Sequence, residues 1–267
     1  MDWDFSTPSG FQTRALSRGR LVAPASVNAP AVLFVHGGFH GAWCWSPFLR
    51  FLTDVGVTAA AVDLRGHGGL PQEQDFAGQG VAAMAEDVAE AARALGGNVV
   101  LAGHSVGALV AMTAARAVMP RGLVMMAPVP SSATLPSFQA GVSVTPPPDA
   151  RARKWFLQGL GPQTDIQPYL ERLCPESPAL LNDCYGQHLT PDPAWGDPAW
   201  VKGPRLCISG TRDVSPLHPA GSDHEGALSY GAAVASVSGA GHCMMLDGTW
   251  RDAAEILRAW LVQNNLV

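Results

Sequence analysis

The chain has 267 residues, 47% hydrophobic and 15% charged, with a net charge of −5. That balance favours a large buried core over a disordered chain. It lacks the long Lys/Arg run that neutralising nucleic-acid phosphates demands, and it has no stretch of eighteen or more apolar residues to span a membrane. Five scattered cysteines (Cys44, Cys174, Cys184, Cys207, Cys243) without a C-x-x-C spacing read as reduced thiols, neither a disulfide framework nor a zinc site. The start, Met1-Asp2-Trp3-Asp4, is acidic, unlike a secretory signal. A cytoplasmic protein is expected.

In chain order, a hairpin strand is expected around Phe11 to Val22. Ala31 to Val35 is a continuous apolar run ending at His36-Gly37-Gly38, the pattern of a strand buried on both faces. A helix follows from about Trp45 to Val55. Then comes an apolar strand, Val57 to Val62, that runs into Asp63-Leu64-Arg65-Gly66-His67-Gly68. Val81 to Leu95 has helical spacing and stops at Gly96-Gly97. Asn98 to Ala102 reads as a strand, Ala108 to Val118 as a helix and Gly122 to Ala127 as another buried strand. Between 131 and about 203 the rhythm fails, in a stretch rich in proline and aromatics. It resumes with strands at Arg205 to Ser209 and Ala232 to Val237 and an amphipathic helix at Thr249 to Val262. Strands alternating with helices predict an α/β fold, a mostly parallel central sheet with helices on both faces. The core would be residues 1–130 and 204–267, with 131–203 inserted over the carboxyl ends of the strands, where such sheets bind ligands.

Gly103-His104-Ser105-Val106-Gly107 stands between a predicted strand and a predicted helix. Its glycines let the chain turn sharply and lift the Ser105 hydroxyl onto an exposed elbow. A serine nucleophile needs a base. Of eight histidines, His242 lies in a glycine-containing loop after the last predicted strand. The base needs an acid that fixes its tautomer, and Asp213, after the strand ending Ser209-Gly210, is placed for it. Asp63, Asp223 and Asp247 are the competitors; Asp63 and Arg65 read as a loop tie, Asp247 as a cap of the last helix. Acyl transfer also needs donors for an oxyanion. The backbone N–H of Val106 is one, and Gly38, ahead of Phe39, is the other.

These motifs, in this order, resemble the α/β-hydrolase fold superfamily over nearly the whole chain. A closer likeness, through Val35-His36-Gly37-Gly38-Phe39-His40-Gly41-Ala42-Trp43-Cys44-Trp45, is to the plant methyl-esterase and hydroxynitrile-lyase group. Lyases of that group carry a threonine after the first histidine and a lysine after the catalytic one; Gly37 and Cys243 stand there instead. Without that cation for a cyanide leaving group, the resemblance points away from lyase chemistry. It implies a cofactor-free, metal-free serine hydrolase acting on a small-molecule ester, thioester or lactone with an apolar or aromatic part. Residues 131–203 fall where this superfamily carries a cap. Substrate contacts are expected from Phe39, His40, His104 and Trp155. Trp155, Phe156, Trp195 and Trp200 either line the pocket or anchor the cap. The alternatives are a carbon–carbon bond hydrolase or lyase on the same residues, or a binding protein without turnover. Nothing in the sequence speaks to oligomeric state.

Overall fold

The computed structural model describes residues 4–27, 30–130, 137–185, 198–215 and 218–267. The expected hairpin consists of two strands, β1 (Phe11–Ala15) and β2 (Arg20–Pro24), paired antiparallel. Strands β3 (Ala31–Val35), β4 (Ala59–Asp63), β5 (Val99–His104) and β6 (Gly122–Met126) are buried at every position. Apolar side chains on both faces of a strand need cover on both sides, which is why these runs are continuous and not alternating. With β7 (Arg205–Gly210) and β8 (Ala233–Val237) they form one eight-stranded sheet of order β1-β2-β4-β3-β5-β6-β7-β8. β2 joins β4 antiparallel, and every later pairing is parallel.

Helix α1 (Ser46–Asp54) carries the chain from β3 to β4, toward the hairpin edge. Helices α2 (Val81–Ala94) and α3 (Val106–Val118) carry it the other way, from β4 to β5 and from β5 to β6. Right-handed crossovers in opposite directions put α1 on one face and α2 with α3 on the other. The chain between β6 and β7 forms α4 (Asp149–Trp155), α5 (Gln167–Leu170) and α6 (Pro178–Tyr185). A helix that the sequence pattern does not announce, α7 (Ser222–Ser229), links β7 to β8, and α8 (Trp250–Gln263) packs against α1. The direction of crossover reverses between β3 and β5, which pair directly with Val35 opposite Gly103. The crevice at such a reversal is where open α/β sheets hold ligands. Among the described residues all five cysteines are free thiols, and no helix is long and apolar enough to cross a membrane.

Candidate active site

The β3–β5 register sets His36-Gly37-Gly38 beside His104-Ser105. Ser105 holds φ 53° and ψ −126°, a strained conformation for a residue with a side chain, and α3 begins at the next residue. Two close approaches make this elbow possible. A Cβ on Gly107 would collide with the His36 carbonyl oxygen, and one on Gly103 with that of Gly107. The elbow is held from below by the Ser105 N–H, which donates to the Met126 oxygen at 3.0 Å.

Asp213 is set by a turn in which its N–H donates to the Gly210 oxygen at 3.0 Å. His242 Nδ1–H donates to Asp213 Oδ2 at 2.8 Å, both side chains being buried. That bond leaves Nε2 as the free acceptor of the ring. Burial opposes the charge on Asp213, but His242, and to a smaller extent His218, more than offset it, so the carboxyl titrates below the usual carboxylate range. The other acids are engaged elsewhere. Asp63 accepts from Arg20 Nε at 2.8 Å and the Ala42 N–H at 2.6 Å. Asp247 ties the Gly241 N–H, at 2.8 Å, to the start of α8 through the Thr249 N–H. Burial, reinforced by the charge of Asp213, pushes Asp223 up to about 7.

His242 is surrounded by other rings. His104 and His218 lie 4.7 and 4.3 Å from it, centroid to centroid. His104 Nε2–H donates to the His242 carbonyl oxygen at 3.0 Å, and His218 Nε2–H to the Pro128 oxygen at 3.2 Å. Burial, with His242 adjacent, lowers His218 to about 4 and takes His104 well below the ordinary histidine range. Burial likewise lowers His40 to about 4. The atoms of Asp213, His218 and His242 that could ligate a metal lie within 4.8 Å of one another, but the Asp213–His242 hydrogen bond already occupies two of them.

The depressed histidines set a pH dependence of stability. Between pH 6.5 and about 4 the unfolded chain binds protons at His40 and His218 that the folded protein refuses. Stability is therefore full above that window and falls with pH through it, by about 3 kcal/mol per histidine at the acid end. His67, raised from its usual value because Glu176 outweighs burial, and Asp223, pushed up to about 7, work in the opposite direction, while buried His36 and His104, held well below the ordinary histidine range, add to the loss. Urea midpoints should drop between pH 7 and pH 4.5, and His218→Asn should flatten the slope. An unchanged midpoint would contradict the assignment of neutral buried rings.

One cavity of about 370 Å³ connects these groups, and its walls are mainly apolar. Ser105, His242, Gly38, Phe39, His40, His104, Val106 and Trp155, all singled out from sequence, line it. Phe156 lines it too, its ring 6.2 Å from that of His242. Trp200 instead packs against the core with Arg116 over its ring at 5.7 Å, an anchoring role. Trp195 lies outside the described residues.

The two candidate oxyanion donors, Gly38 N–H and Val106 N–H, donate to no other protein group among the described residues. Phe39 N–H is already taken by Glu176. Sequence reasoning missed three residues that the chain between β6 and β7 brings in. Tyr185 lines the cavity together with Ser105, and burial raises its hydroxyl above the ordinary tyrosine range. Gln158 Oε1 accepts the His242 N–H at 3.0 Å. Glu176 is buried against the loop after β3. None sits in a periodic pattern or a recognisable motif, so no sequence signal was available.

A model of the alpha/beta hydrolase family matches residues 32–259. A probable esterase, PIR7A, of Oryza sativa subsp. indica is 40% identical over 79 residues, which are 29% of this chain and only 30% of that relative. The fold is similar to that of the methylesterase MES16 from Arabidopsis, at TM-score 0.65 and 19% identity, covering 86% of this chain and 98% of that one. It is also similar to the epoxide hydrolase VrEH1 from Vigna radiata, at TM-score 0.66 and 18% identity over 97% and 99% of the two chains.

Proposed function

Because the chain belongs to the alpha/beta hydrolase family, we propose that it is a serine hydrolase cleaving a carboxylic ester, thioester or lactone of a small to medium apolar or aromatic substrate. The observation that carries this reading is the 2.8 Å bond from His242 Nδ1–H to a buried carboxylate, with that ring and the elbow serine lining one mainly apolar cavity. Nε2 of His242 takes the Ser105 proton as Oγ attacks the substrate carbonyl. The oxyanion that forms is received by the N–H groups of Gly38 and Val106, each contributing about 3 kcal/mol to the transition state. The imidazolium then gives its proton to the leaving group, and water activated by the same ring releases the acid. Neutral His104 and His218 flank the ring, so the new positive charge meets no cation there. Residues 131–203 act as the cap, with Trp155 and Phe156 forming part of the acyl or aryl pocket.

A fluorophosphonate probe followed by peptide mapping tests this directly. One serine, Ser105, should take the label, and hydrolysis of para-nitrophenyl butyrate should stop with it. A label on another serine, or turnover that survives labelling of Ser105, would overturn the reading.

A further inference from the structure

Phe39 sits in the loop after β3 with φ 67°, a left-handed conformation that a residue with a bulky side chain rarely adopts. Both of its backbone polar groups are held from the inserted segment. Its N–H donates to Glu176 Oε2 at 2.9 Å, and its carbonyl oxygen accepts the Cys174 N–H at 2.9 Å. Glu176 is itself 0% exposed. Its other oxygen accepts the Ser177 N–H at 2.7 Å. His67 Nε2–H donates to Oε2 at 3.0 Å, while His67 Nδ1–H donates to the Arg65 carbonyl oxygen at 2.9 Å. Both ring nitrogens thus face acceptors, which makes His67 the counter-ion of the buried carboxylate.

The same peptide unit is gripped at its other end. The Gly38 carbonyl oxygen accepts His40 Nδ1–H at 2.6 Å, and His40 Nε2 in turn accepts the Tyr169 hydroxyl at 2.7 Å. One peptide unit back, the Gly37 carbonyl oxygen accepts His36 Nδ1–H at 2.8 Å. In a trans peptide the N–H points opposite to the C=O. Fixing the Gly37 oxygen therefore directs the Gly38 N–H away from His36. Fixing the 38–39 unit at oxygen and nitrogen keeps the Phe39 N–H out of the cavity. Without Glu176, nothing else among the described residues receives that N–H, and the strained φ of Phe39 favours rotation of the unit.

We infer that Glu176 is a positioning residue for the hydrolytic reaction: it clamps the Gly38–Phe39 peptide so that, of the two N–H groups in this loop, that of Gly38 and not that of Phe39 joins the Val106 N–H at the substrate carbonyl oxygen. This inference rests on the serine-hydrolase reading above. Glu176 touches neither substrate nor the reacting atoms, and acts through the loop it holds.

The test compares wild type with Glu176→Ala, Glu176→Gln and Tyr169→Phe, using para-nitrophenyl butyrate and counting active sites by fluorophosphonate labelling. Loss of one aligned oxyanion donor lowers kcat by about 100-fold in other hydrolases, so Glu176→Ala should lose about 10- to 100-fold in kcat per labelled serine. KM should stay within about threefold, because the lost interaction is made in the transition state. Glu176→Gln keeps an oxygen for the Phe39 N–H and should retain activity within about fivefold of wild type. Tyr169→Phe, which removes the hydroxyl from His40 Nε2 at the far end of the clamp, and with it a 3.8 Å contact to Cys243 Sγ, while preserving the ring, covers the case in which Glu176→Ala does not fold. It should lose about three- to tenfold in kcat.

The second readout is inhibition. An alkyl trifluoromethyl ketone forms an oxyanion on the serine, whereas butyrate, the product, does not. The clamp predicts that affinity for the ketone falls in parallel with kcat while affinity for butyrate is unchanged. A purely structural role would lower the folded fraction and the melting temperature while kcat per labelled serine and the ketone-to-butyrate ratio stayed at wild-type values, and that result overturns the inference. Full activity in both Tyr169→Phe and Glu176→Gln, with Glu176→Ala insoluble, also overturns it. A wild-type protein that neither hydrolyses the ester nor takes the label overturns the hydrolase reading first.

Discussion

Replacing Asp213 with Asn is expected to lower kcat on para-nitrophenyl butyrate by about ten-thousand-fold. The carboxylate fixes the tautomer with hydrogen on Nδ1, at 2.8 Å, and leaves Nε2 free to accept the serine proton. An asparagine can present its NH₂ to Nδ1 instead, which favours hydrogen on Nε2 and so a ring unable to act as base. It also withdraws the negative charge that stabilises the imidazolium, in a buried setting where that charge matters most. Asp213 does not line the cavity, so KM should move by no more than about threefold. Asn at Asp63, Asp223 or Asp247 should leave kcat within about tenfold of wild type, since Asp63 and Asp247 serve other partners and the His242 Nδ1–H goes to Asp213, not Asp223. Steady-state kinetics on labelled-site-normalised protein decides the matter. An Asp213→Asn enzyme within tenfold of wild type would remove Asp213 from the mechanism.

The second large effect concerns stability. Arg65 and Asp87 are 6% and 1% exposed and meet through Nη2 to Oδ1 at 2.8 Å and Nε to Oδ2 at 3.0 Å. Asp87 Oδ2 also accepts the Arg65 backbone N–H at 2.8 Å. Removing one member strands a buried charge, which costs about 3–5 kcal/mol. Asp87→Ala should therefore lower the melting temperature by about 10 °C. Glu86, which reaches the same guanidinium from a side chain 76% exposed, is the internal control, and Glu86→Ala should change stability by under about 1 kcal/mol. Calorimetry that finds the two variants equal would show the buried pair to contribute no more than the solvated one. The Arg65 carbonyl oxygen also holds His67, so Asp87→Ala should disturb the loop after β3 as well.

The parts legible in sequence are those governed by local repetition or by steric necessity. β3 runs from Ala31 to Val35 as expected because a doubly covered strand leaves an unbroken apolar run. The elbow was readable because only glycine fits where Gly103 and Gly107 press against backbone. The boundary of α3 was less so: the helix starts at Val106, not Ala108, since the elbow residue leads straight into its first turn. α7 escaped altogether. Only Ser222 and Ala227 among its eight residues are buried, so it has no apolar stripe to betray it, and Gly226 lies within it. Glu176 was invisible for a different reason. Its partners, Phe39 and His67, lie 137 and 109 residues away, and a single acid in a proline-rich stretch carries no periodic signature.

The chain between β6 and β7 holds the main chain of both candidate-site loops, twice through a main-chain group and twice through a side chain. The Phe156 carbonyl oxygen receives the Cys243 N–H at 2.9 Å and Gln158 receives that of His242, while Cys174 and Glu176 hold Phe39. A lid that swung away as one piece would take the chemistry apart each time it opened. Smaller displacements are open to the part of the cavity wall that carries none of these bonds, Phe138, Pro146-Pro147-Pro148 and Trp155 with Arg151 over its ring. Turnover and gating are then separable properties, adjustable at different ends of the same polypeptide stretch.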